Sequence, residues 1–187
     1  RHMESWRFGA PGNESLEHVE AAPPADPETL APIIRERASM SEALRIVYAN
    51  GIPVSIPEEL PEGLSVMDME DFVLQCPDTA RKYLETETET LGSEKLSALA
   101  TALQHNGLVI MADRKISLPL EILHFISGDN VAVFPSTLLI AETGSRLRIL
   151  ERHISADHGR QFCGALQQYH LSSASSVKYA LVQELNS

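Results

Sequence analysis

From Leu108 to its end the chain holds no stretch with helical periodicity, only short apolar runs cut by Gly, Asp, Asn, Ser or Pro. That pattern restricts the second half to a β architecture. The runs fall at 108–111, 116–125, 131–134, 138–140, 147–150, 162–166 and 177–182. Short strands with turn signals fit a sandwich, a barrel or a β-helix. One internal match favours the last. Ser145-Arg146-Leu147-Arg148-Ile149 aligns with Ser175-Ser176-Val177-Lys178-Tyr179, thirty residues further on. In each copy a small polar residue precedes alternating apolar and exposed positions. Stacked coils would turn Leu147, Ile149, Val177 and Tyr179 inward and Arg148 and Lys178 to solvent. Two copies permit stacking without requiring it.

The first half reads differently. Residues 4–26 are rich in Gly, Pro, Ala and Glu and suit an extended arm, with Trp6 and Phe8 as anchors. Asp26 can cap a helix over 27–38, and Pro32 should make that helix start late or bend. Residues 44–49 read as a strand, Asn50-Gly51 as a hairpin turn and 52–54 as the return, with Pro53 allowing only an edge strand. Two short helices, 69–75 and 77–84, are separated at Pro77. A Glu/Thr-rich linker over 85–92 follows, and then a helix capped by Ser93 with Leu96, Leu99 and Leu103 on one face. Two regions are therefore expected: a small α/β region over 4–92 and a β core over 93–187.

Charge follows the same division. Residues 1–94 hold 19 acidic and 7 basic side chains, against 7 and 8 in the remainder. An acidic front half argues against a nucleic-acid partner, which needs concentrated basic surface. No apolar run approaches the roughly 18 residues of a membrane span. Cys76 and Cys163 are too few for a disulfide framework and suit a reducing, cytoplasmic compartment.

Several segments, in order, resemble a known family. Glu4-x-Trp6-Arg7-Phe8 is similar to an entry motif, and Arg45-Ile46-Val47-Tyr48-Ala49-Asn50-Gly51 to a strand and turn. Ala98-Leu99-Ala100-Thr101-Ala102-Leu103 with Asn106-Gly107, Pro119-Leu120-x-x-Leu123-His124-Phe125, and 137–151 with 176–186 resemble later segments. Together they resemble the SufB/SufD family of the SUF iron–sulfur cluster assembly system, its SufD branch in particular. The resemblance implies a right-handed parallel β-helix preceded by a small α/β N-terminal region. It implies a non-enzymatic scaffold that pairs with a SufB-like subunit and is bound by a SufC-like ABC ATPase. The iron–sulfur cluster would belong to the complete assembly and not to this chain. Ala100 departs from the family's Asn. The family's later coils, with the histidine thought to hold the nascent cluster, have no counterpart before Ser187, so the resemblance is to a shortened form.

The candidate chemistry is modest. His153, His158, Cys163 and His170 offer nitrogen and sulfur donors, but their spacings match no standard metal motif. His153, Cys163 and His170 are the weak metal candidates, with surface histidines and a structural cysteine as the plain alternative. His124, in an apolar strand, reads as a core or edge residue. Cys76 has no basic neighbour close in sequence to activate it. Asp113, Glu121 and Asp129 are too scattered for a polysaccharide-cleaving β-helix, the rival from another class; a plain adaptor solenoid is a third possibility. There is no phosphate-binding P-loop. Val177, Tyr179 and Leu181 on the last strand are the expected interface, able to pair with another copy through an open coil end.

Overall fold

A computed structural model describes residues 19–85, 94–104 and 106–186. The entry motif with Trp6 and Phe8, the linker beyond Glu85 and the Ser93 cap lie outside the described residues. The rest is mostly β, with four short helices among the described residues. Twelve strands follow the chain: β1 (Glu20–Ala21), β2 (Leu44–Ala49), β3 (Ile52–Ser55), β4 (Leu64–Asp68), β5 (Gly107–Ala112), β6 (Leu120–Ile126), β7 (Val131–Val133), β8 (Ser136–Ala141), β9 (Arg146–Ser155), β10 (Gln161–Cys163), β11 (Leu166–Leu171) and β12 (Ser176–Glu184).

They form three sheets in the orders β1-β7-β10, β11-β8-β5-β4 and β12-β9-β6-β2-β3. Only β2–β3 and β4–β5 are antiparallel; the other pairings among the described residues are parallel. The thirty-residue match is a pairing register: Leu147 sits beside Val177 and Ile149 beside Tyr179. The same offset pairs Ser136 with Leu166 and Val131 with Gln161. One turn earlier it shortens to twenty-nine, as in Leu120 with Ile149 and Gly107 with Ser136. Each pass of the chain therefore adds one strand to each sheet.

Strands β2, β3 and β4 precede residue 93 yet share sheets with the later ones. The hairpin forms as its sequence dictates, with Asn50 at φ 49° and Gly51 at φ 79°, the paired left-handed residues of a tight two-residue turn. Three strand bounds differ from those read in the sequence. The 116–125 run begins its strand only at Leu120. The 147–150 strand continues to Ser155. The 162–166 run is two strands, β10 and β11, separated at Gly164-Ala165.

Inward residues of the two larger sheets meet in one core, with Ile46, Ile110, Ile122 and Leu139 inaccessible to solvent, and Val131 and Val133 of β7 pack with Ala22 and Ile126 in a smaller cluster. Helices cover the outer faces. Helix α1 (Pro27–Arg37) starts at Pro27 and runs through Pro32, so it does not start late. Asp26 caps it, accepting from the Glu28 amide at 3.0 Å. Pro32 sacrifices one amide hydrogen bond, but Leu30, Ile33 and Ile34 bury against Val47, Leu123, Phe125 and Ile154, which outweighs that loss. Helices α2 (Met69–Gln75) and α3 (Pro77–Leu84) place Phe72, Ala80 and Tyr83 over Val109, Leu138 and Ile140. Helix α4 (Glu94–Leu103) leads into β5. At the far side β10, β11 and β12 are sheet edges.

Candidate functional site

Strand alternation sets what faces the interior. On β9 Leu147 and Ile149 are buried between the exposed Arg146 and Arg148, so Glu151 and His153, at the same parity, face inward too. Both are fully buried. The parallel register places Tyr48 of β2 beside His124 of β6, and His124 beside His153 of β9. Tyr48 and His124 stack with ring centroids 5.2 Å apart, and His124 meets His153 edge-on at 5.1 Å. Where the earlier turns fill the interior with Ile and Leu, the last turn supplies polar groups: Cys163 from β10, Gln167 and Tyr169 from β11, and Tyr179 from β12.

Glu151 is the hub. His153 Nε2 lies 2.8 Å from its Oε1, Gln167 Nε2 donates to the same oxygen at 3.1 Å, and the Tyr179 hydroxyl donates to Oε2. Gln167 also bridges to the Tyr179 oxygen at 2.8 Å, and Tyr169 donates to Gln167 at 3.1 Å. On its other side His153 Nδ1 is 3.4 Å from Cys163 Sγ. His124 is different. It is 3% exposed, and neither ring nitrogen has a hydrogen-bond partner; Nε2 stands 3.5 Å from Glu151 Oε1 without hydrogen-bond geometry. The Tyr48 hydroxyl is likewise buried and unpartnered.

The ionisation states follow from these contacts. Burial alone would lower the His153 pKa, but the contacts with Cys163 and Glu151 reverse this and lift it to about 9. Burial raises the Glu151 carboxyl, yet the His153 and Tyr179 bonds and the nearby His124 hold it well below the usual carboxylate range. His124 is pushed down to about 4, chiefly by burial; Glu151 opposes the shift and the His153 charge adds to it. The site is thus an imidazolium–carboxylate pair beside a neutral imidazole. Two chemistries are open to it. The ligand atoms of His124, Glu151 and His153 lie within 4.8 Å of one another, a set that could hold a metal ion. The Cys163–His153–Glu151 series also has the connectivity of a thiol, a base and the group that orients the base.

The four spaced donors separate. His153 and Cys163 come together. His158 is exposed in the turn between β9 and β10, and His170 points outward from β11 against Tyr83, with centroids 4.8 Å apart. Glu151 was not among the candidates because its strand was expected to stop at Leu150. His124 reads as an isolated core residue until the twenty-nine-residue register sets it beside His153. Carrying the alternation past Leu150, with that register, would have found both.

The remaining candidates have structural roles. Glu121 is buried on the outer face of β6, accepting from Arg45 Nε at 2.7 Å and from the Ser39 amide at 2.9 Å. Asp113 is paired with Arg114 at the surface, and Asp129 accepts from the Arg160 amide. Cys76 joins α2 to α3 and packs near Phe72. Of the expected interface, Val177 and Tyr179 are half-buried against the core, while Leu181 is 41% exposed beside an equally open Val182. Comparison with protein-family models and with curated proteins gives no match.

Proposed function

We propose that the stacked strands are turns of a right-handed parallel β-helix, and that the chain is a non-enzymatic scaffold subunit of an iron–sulfur cluster assembly system. The observation that carries this reading is the common register: three sheets each gain one parallel strand every twenty-nine or thirty residues. Parallel crossovers within a sheet are overwhelmingly right-handed, which gives the hand. One side of the stack is covered by the antiparallel β3 and β4, whereas β10, β11 and β12 keep backbone donors and acceptors available for a partner. A related subunit, SufB-like by the sequence resemblance, would add strands there, with Leu181 and Val182 as its apolar footing. A SufC-like ATPase would act on the pair, and the cluster is cargo of the complete assembly.

The test is co-purification of the protein with a SufB-like subunit and the ATPase under anaerobic, reducing conditions. A stable complex weakened by Leu181→Asp with Val182→Asp supports the proposal. Absence of any association removes it.

A further inference from the structure

We infer that His124, Glu151 and His153 form a binding site for one divalent transition-metal ion of the iron, cobalt or zinc type. This does not depend on the iron–sulfur reading; it rests on three observations. First, the donors converge. Around Glu151 Oε1 the ring nitrogens of His153 and His124 stand at 2.8 and 3.5 Å. Ligands on a tetrahedral ion with bonds of about 2.0–2.1 Å lie roughly 3.3 Å apart; the two contacts to Glu151 are within about half an ångström of that, and the two imidazoles, within 4.8 Å of each other, would close by up to about 1.5 Å.

Second, His124 is a fully buried imidazole with no hydrogen bond at either nitrogen. Such a group is rare, because burial of an unpaired donor or acceptor is unfavourable. A metal on the lone pair of Nε2, the nitrogen nearer Glu151, would give that nitrogen a partner and leave only the Nδ1–H unpaired. Third, Glu151 and His153 carry the supporting contacts that ligands of a metal need. Tyr179 and Gln167 orient the carboxylate, and with Nε2 on the ion the Nδ1–H of His153 would point at Cys163 Sγ. Two imidazoles and one carboxylate favour a transition ion over calcium or magnesium, which take oxygen shells. Three protein ligands leave at least one coordination position for a further donor.

The experiment is titration of the chelator-stripped chain with Co(II), followed by its visible absorption, with Zn(II) as competitor. One equivalent is expected to bind and to be displaced by Zn(II). His124→Leu should weaken binding at least tenfold, whereas the double variant His158→Ala, His170→Ala should bind as the wild type. X-ray absorption of the Zn(II)-loaded wild type needs no variant; it should show a nitrogen and oxygen shell with two imidazoles. No uptake by the wild type overturns the site, as do equal uptake by His124→Leu, loss of uptake in the double variant, or a sulfur atom in the first shell.

Discussion

His124→Leu should make the metal-free protein more stable, although it truncates a residue at the centre of the core. Neutral imidazole carries one donor and one acceptor, and at His124 both are buried without partners. Each such group costs about 1–3 kcal/mol. Leucine is close in volume and leaves little cavity. Against the gain stands the ring stacking on Tyr48, worth about 0.5–1.5 kcal/mol. With each group taken near the lower end of its range, about 1–1.5 kcal/mol, and about 1 kcal/mol for the stacking, the net expectation is a stabilisation of about 1–2 kcal/mol in chelator at pH 7.5. For a urea slope of about 2 kcal/mol/M this moves the unfolding midpoint up by roughly 0.5–1 M.

Acid should widen the difference. His124 titrates near 4 in the fold and near 6.5 when unfolded, so between those values only the unfolded chain takes up the proton. The wild type therefore loses stability as pH falls through this window, by up to about 1.4 kcal/mol per unit, and the variant lacks that loss. Zinc should narrow or reverse the difference. At a hundred times the wild-type dissociation constant it adds about 2.7 kcal/mol to the wild type and, for binding weakened tenfold or more, at most about 1.4 kcal/mol to the variant. Urea unfolding at pH 5.5 and 7.5, with chelator or zinc, measures all of this. A metal-free variant less stable than the wild type by 1 kcal/mol or more would show that the imidazole nitrogens are satisfied, and the reasoning would fail.

His153 should give the opposite pH limb in the metal-free chain. Its pKa is raised to about 9, so its contribution is full below about 6.5 and is lost as pH rises through 9. Stability should fall on the order of 1–2 kcal/mol between pH 7 and 9, and His153→Gln should flatten that limb in the same urea assay. Gly159→Ala should destabilise by at least about 2 kcal/mol, because a Cβ there would stand 2.1 Å from the Gly128 carbonyl oxygen of the turn stacked on it. Gly144→Ala has open space around it but a φ of 76°, so it should cost only the smaller strain of a left-handed residue, about 1 kcal/mol; thermal unfolding separates the two. Ile122→Ala, at a fully buried position, should cost about 2–5 kcal/mol, and Leu181→Ala under about 1 kcal/mol in the free chain. Comparable losses would mean that Leu181 is covered in solution.

What the sequence made legible was local. The Asn50-Gly51 hairpin, the Asp26 cap and the break between α2 and α3 at Pro77 depend on residues close in the chain, and each lies where its chemistry put it. The pairing of 146–149 with 176–179 was legible for another reason: both copies keep the same alternation of apolar and charged residues. Strand β11 was hidden because Leu166-Gln167-Gln168-Tyr169-His170-Leu171 has polar residues on both faces, and β9 was cut short where Glu151 ended its apolar run. Those failures share a physical cause. Apolar content locates a strand only while its inward face is apolar, and toward the end of the stack that face is Glu151 and His153 on β9 and Gln167 and Tyr169 on β11. A chain optimised only for stability would not place a carboxylate and two imidazoles at inward positions of a core otherwise built largely from isoleucine and leucine. The segment where pattern reading fails is therefore the segment where the fold gives up burial energy for polar chemistry. That coincidence is the strongest reason to look for function inside the stack as well as on its exposed edges.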